Sequence, residues 1–175
     1  MKRIALFLFL VSCAPLAPTY PTYSVYIESR FTAQQRTIIQ ESMNDWTTKS
    51  NSLVTFNSTI VQTCGTKVTP HTIKIIVSTQ AAVDEACYPG VAGCTVMDSD
   101  EKLLDSSRIY LAMDRDYALY FPSVVRHEIG HSLGLGHESD SPLMMTKIRD
   151  PRSRVTCKDV NRLYALHHAP YSCSE

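Results

Sequence analysis

Apolar and polar positions alternate along Ser24-Val25-Tyr26-Ile27-Glu28, which is the period of a β-strand. Thr32 follows as a candidate N-cap, with Gln35 at the reciprocal position of a capping box. Ile38, Ile39, Met43 and Trp46 then carry a helical stripe toward Lys49. Leu53 to Asn57 alternates again and predicts a second strand, and Thr72 to Val77 is a β-branched third. Thr95-Val96-Met97 reads as a short strand and Arg108 to Ala112 as a better one. Pro122 suits the first turn of the next helix. There Val125, Ile129 and Leu133 form a core stripe, while Val124, His127, Glu128 and His131 share the neighbouring face. A last helix is expected from about Lys158 to His168, apolar at Val160, Leu163, Tyr164 and Leu166.

A chain of 175 residues without internal repeats or low-complexity blocks predicts one domain with a proper core. The first residues are set apart from it. Lys2 and Arg3 precede an apolar run, Ile4 to Val11, that is too short to span a bilayer and reads as a targeting segment. Its end, Leu10-Val11-Ser12-Cys13, resembles the bacterial lipobox, which implies cleavage before Cys13 and a lipid on that cysteine. A plain signal peptide cut after Ala14 or Ala17, giving a secreted protein, is the alternative. Pro15, Pro18 and Pro21 recur at three-residue spacing, either as a semi-rigid tether or as an irregular entry to the first strand. The expected division is therefore 1–12 signal, 13–23 lipidated cysteine and tether, and 24–175 folded domain. The location that follows is an exported, membrane-anchored lipoprotein facing periplasm or cell surface.

Charge adds an exclusion. The chain has 17 basic and 17 acidic side chains, and loss of Lys2 and Arg3 leaves the mature form slightly acidic, so no basic field points to nucleic acid. Six cysteines in an exported chain point to disulfides. With Cys13 lipidated, Cys87 and Cys94 bracket a turn-rich loop and Cys157 and Cys173 flank the last helix, so these are candidate pairs, and Cys64 is left over. No CxxC pair suggests a cysteine-zinc site.

The chemistry concentrates in His127-Glu128-Ile129-Gly130-His131-Ser132-Leu133-Gly134-Leu135-Gly136-His137. On a helix, His127 and His131 stand one turn apart on one face, where two imidazoles can grip one metal ion. Glu128 lies beside them, placed to hold a metal-bound water and take its proton. Gly134 can end the helix in the left-handed conformation, letting His137 swing back as a third ligand and leaving a fourth position open. Five fixed positions arise by chance on the order of 3 times in 10⁷ starts at even residue usage. His71, His167 and His168 read as surface or loop residues.

The pattern HExxHxxGxxH resembles the signature of the metzincin metallopeptidases. Ser141-Pro142-Leu143-Met144-Met145 looks like that family's methionine turn, which packs beneath the ligands, with either Met144 or Met145 as the turn residue. Glu138, directly after the third histidine, is similar to astacins, but their extra tyrosine ligand is replaced here by Thr146 or Lys147. Ser132 to His137 is closer to matrixins, although no matrixin-like structural-zinc segment is recognisable before residue 120. The resemblance implies an α+β zincin domain, in which a twisted mixed β-sheet carries an active-site helix and a C-terminal helix. It implies one catalytic Zn2+ held by His127, His131 and His137, with Glu128 as catalytic base. The reaction implied is endopeptidase cleavage of a protein or peptide substrate lying extended beside the strand Thr95 to Met97.

Two alternatives stand beside it: a membrane-tethered amidase acting on cell-wall peptides, and a catalytically silent zinc-fold binding module. A monomer is expected, in contact with a membrane through its lipid anchor. Ala14 to Tyr23 is too short for an inhibitory pro-domain, so the mature chain is expected to be active. The resemblance implies that the basic segment Thr146 to Arg154 walls the pocket after the cut, with Lys147 or Arg149 favouring acidic or polar side chains there; the alternative is a solvated loop.

Overall fold

The computed structural model describes residues 21–67, 69–98, 106–114, 118–138, 144–145, 153–169 and 173. Cys13, the signal segment, all but the last residues of the tether, and Lys147 and Arg149 lie outside the described residues. Among the described residues five strands form one sheet: β1 (Thr22–Glu28), β2 (Thr55–Val61), β3 (Thr72–Ser78), β4 (Gly93–Met97) and β5 (Ser107–Ala112). Their order is β2-β1-β3-β5-β4. The first four in that order run parallel, and β4 pairs antiparallel with β5 at one edge, Thr95 opposite Ile109. Four helices among the described residues accompany the sheet: α1 (Ala33–Lys49), α2 (Gln80–Ala86), α3 (Phe121–Ser132) and α4 (Cys157–Leu166). This is the mixed-sheet α+β architecture expected from the sequence.

The start of α1 is set by chemistry visible in the chain. Thr32 Oγ1 accepts from Gln35 N at 3.2 Å while Gln35 Oε1 accepts from Thr32 N at 2.8 Å, so two helix-end donors are satisfied reciprocally. Ile39, Met43 and Trp46 line the buried face, and the Trp46 indole N–H reaches the Arg126 carbonyl of α3 at 3.0 Å. At the other end of the core, the Tyr164 hydroxyl of α4 donates to the Ser50 carbonyl just beyond α1 at 2.7 Å.

Four local expectations need correcting. The second strand runs Thr55–Val61 and not Leu53 to Asn57. Leu53 and Val54 are buried in the turn before it, whereas β2 is an outer strand whose Asn57, Ser58 and Thr59 are exposed and break the apolar alternation. The seven-residue helix α2 was not expected at all, because one short turn pair buries only Gln80 and Val83 and leaves no periodic stripe. It is held by its Thr79 cap and by Gln80, whose side-chain amide bonds Asp84 at 2.6 Å and the Val91 carbonyl at 2.8 Å. The last helix stops at Leu166, where His167 and His168 form a turn and His168 takes a φ of 50°. Leu166 is 52% exposed and so is not part of the core stripe.

Disulfides join Cys87 to Cys94 and Cys157 to Cys173, leaving Cys64 free. Such bonds persist in oxidising compartments, which marks an exported protein. Among the described residues, no helix is long and apolar enough to cross a membrane.

Candidate metal centre

Ten of the twelve residues of α3 are buried, so this helix is wedged between the sheet, α1 and the Met144-Met145 turn. Pro122 sits in its first turn, where its missing N–H costs no helical hydrogen bond. Its end is a left-handed glycine stop. Gly134 has φ 91°, Gly134 N donates to His131 O at 2.9 Å, and Leu135 N reaches back to Gly130 O at 3.0 Å. That reversal directs the chain back over the helix and brings His137 to the other two histidines.

The three Nε2 atoms form a small triangle. His127 and His131 are 3.0 Å apart at Nε2, and His137 Nε2 lies 3.2 Å from each. Carbonyl oxygens fix the proton positions. His127 Nδ1 lies 2.8 Å from Met144 O and His131 Nδ1 lies 2.7 Å from Leu135 O. A carbonyl can only accept, so these two Nδ1 atoms carry the proton, and the Nε2 atoms of His127 and His131 turn lone pairs toward the centre of the triangle. Converging lone pairs repel unless a cation sits among them. Nitrogens about 2.0–2.1 Å from a tetrahedral zinc lie roughly 3.3 Å from one another, close to the observed edges. The donor set and its spacing therefore fit a zinc ion held by three imidazoles. His127 is buried, His131 half-buried and His137 exposed, which leaves the centre open to solvent on the His137 side. No other cluster of metal-ligating side chains occurs among the described residues. His71, His167 and His168 are not part of this one.

Glu128 is 1% exposed, and its Oε2 lies 2.9 Å from Thr95 Oγ1 on β4. Gly136 and Glu138, on either side of His137, are pinned as well. Glu138 N donates to Met145 O at 2.7 Å, while Arg162 of α4 bonds Gly136 O at 3.0 Å and pairs with Glu138 at 3.3 Å.

Three participants escaped the sequence reading. Asp159 is fully buried, and its carboxylate accepts from Met144 N at 3.2 Å, Met145 N at 3.4 Å, Thr156 N at 3.0 Å and Thr156 Oγ1 at 2.7 Å. It ties the methionine turn to the start of α4. The Thr156-x-x-Asp159 capping box before an apolar run was the signal that could have found it. Gly130 is the second: a Cβ there would meet Met145 Sδ at 2.4 Å and Trp46 Cζ2 at 2.9 Å. Both methionines are buried, and they divide the work: Met144 gives its carbonyl to His127, and Met145 lays its sulfur against Gly130. Thr95 is the third, foreseen only as part of a strand.

With this geometry in hand, comparison with known families is decisive. The model of the matrixin family matches residues 18–168. The chain belongs to the matrixins. That family consists of zinc-dependent peptidases, and the three-histidine centre falls within the matched stretch. No curated protein matches this matrixin closely enough to count as a relative.

Proposed function

We propose that this matrixin is a zinc-dependent endopeptidase in which His127, His131 and His137 hold the metal and Glu128 is the catalytic acid–base. The observation that carries the reading is the convergence of three imidazole Nε2 atoms, on the helix that also carries a buried glutamate and the turn after it. Bound zinc lowers the pKa of water toward neutrality and polarises a carbonyl. Glu128 takes the proton of the attacking water and returns it to the departing amine. Met144 and Leu135 orient two of the imidazoles through their carbonyls, which raises ligand basicity. The antiparallel edge strand β4 offers its outer backbone to an extended peptide, so that substrate adds to the sheet next to Glu128. The chain works as an exported monomer carrying a lipid on Cys13.

The test uses purified protein, an unfolded protein such as casein, and a peptidoglycan preparation. About one zinc per chain and cleavage of casein, abolished by chelation, are expected. Glu128→Ala should retain metal and lose turnover by at least about 10³-fold. Undiminished turnover in that variant refutes the mechanism, and cleavage of peptidoglycan alone would move the substrate to cell-wall peptides. Mass spectrometry of the chain from its native membrane should show a lipid at Cys13, and an unmodified chain starting downstream removes the anchor.

A further inference from the structure

The strand β4 is held against α3 from two sides. At Gly93 a Cβ would lie 2.8 Å from Leu111 Cδ2 and 3.2 Å from Tyr110 O of β5 and 3.0 Å from Val124 Cγ1 of α3, so the bare backbone lets the strand pack closely against both. On the opposite face, Cys94 is tied to Cys87 at the end of α2. Residues two apart on a strand share a face, so Thr95 points away from the Cys94 side and, like Gly93, toward α3. There its Oγ1 lies 2.9 Å from both Glu128 Oε2 and Glu128 O.

A hydroxyl has one proton to give. The Glu128 carbonyl is already served by Ser132 Oγ at 3.1 Å. The Glu128 side-chain oxygen, at the same 2.9 Å, has the greater need of that proton. The Thr95 proton therefore goes to Oε2. A glutamate carboxylate otherwise turns easily about its last bond, since that torsion is broad and roughly two-fold. Fixing one oxygen selects which oxygen works.

Resting on the peptidase reading above, we infer that Thr95 is a positioning residue for the catalytic base. It holds Glu128 Oε2 so that proton transfer to and from the reacting groups runs through Oε1. Oε2 accepts the same hydrogen bond whether Oε1 is charged or has taken a proton, so the orientation survives both halves of the reaction. The device belongs to the edge strand, so the element that would align substrate also aligns the base.

The experiment compares Thr95→Val, which keeps shape and deletes the hydroxyl, with Thr95→Ser, which keeps the hydroxyl. Thr95→Val should lower kcat by about 10- to 100-fold with KM within about twofold and zinc content unchanged, and Thr95→Ser should recover most of the loss. A second readout uses zinc-free protein and no turnover. In a double-mutant cycle of unfolding, Thr95→Val should weaken the folding equilibrium by about tenfold beside Glu128 and by less than about twofold beside Glu128→Ala. The proposal is overturned by a Thr95→Val kcat within twofold of the parent, by Thr95→Ser no better than Thr95→Val, or by equal effects in both backgrounds of the cycle. A zinc-loaded parent that cleaves no peptide overturns the peptidase reading instead, and the zinc-free cycle still decides whether the hydroxyl holds the carboxylate.

Discussion

Replacing Asp159 with alanine would strand several donors at once. The carboxylate is fully buried and takes hydrogen bonds from Met144 N, Met145 N, Thr156 N and the Thr156 hydroxyl. The hydroxyl can turn elsewhere and Thr156 is only partly buried, but the two methionine N–H groups sit in a turn whose side chains are at most 2% exposed. Each stranded buried donor costs about 1–3 kcal/mol, whereas the Thr156 hydroxyl still caps α4 by accepting from Asp159 N at 3.2 Å. The expected loss from the two methionine donors is therefore about 2–6 kcal/mol, a large share of the 5–15 kcal/mol typical of a whole domain. Denaturant unfolding of zinc-free protein measures it, with the midpoint falling at unchanged slope. The same turn sends its Met144 carbonyl to His127, so zinc affinity should drop by about 10- to 100-fold as well. Asp159→Asn keeps one acceptor and confronts the remaining N–H groups with its own, so it should fall between alanine and the parent. An Asp159→Ala protein within about 1 kcal/mol of the parent and with unchanged zinc affinity would show that the turn is held by something other than this carboxylate.

Gly130→Ala should destabilise by about 1–2 kcal/mol in the same assay: overpacking against Met145 and Trp46 outweighs the roughly 1 kcal/mol that alanine gains in a helix. Met145→Ala should relieve part of that loss, and strict additivity of the pair would contradict the contact. The Cys64 thiol, pushed up to about 11 by burial and by the neighbouring charge of Glu28, should alkylate about 100-fold more slowly at pH 8 in the folded than in the unfolded chain. Because the thiolate is the reactive form and the shift is upward, the folded-state rate should climb about tenfold per pH unit to near pH 10; rapid, pH-independent labelling would refute it.

What the sequence disclosed was local. The α1 start was legible because Thr32 and Gln35 act across three residues, and the metal centre because helix pitch and a glycine stop set the spacing of His127, His131 and His137. The β2 limits were not, since Leu53 and Val54 carry strand-like apolarity into a buried turn while the strand itself is polar on an outer edge. The partners of the site were hidden for a related reason. Thr95 meets Glu128 across 33 positions and Asp159 meets the methionine turn across 14 and 15, and such meetings are products of topology. Their residue types are common and their spacing carries no period. Gly130 shows the converse case, in which a variable position inside a recognisable motif is committed by a tryptophan 84 positions away (Trp46).

The near-complete burial of α3 sets how the molecule comes apart. A site built on a surface loop can melt before the rest, and activity then fades ahead of global unfolding. Here the helix that carries the first two histidines and the glutamate is the middle of the core, with His127 and Ile129 at most 1% exposed. Its amide protons can reach solvent only when the whole domain opens, so their exchange should report the global free energy. Heat inactivation and loss of the fold should accordingly follow one curve.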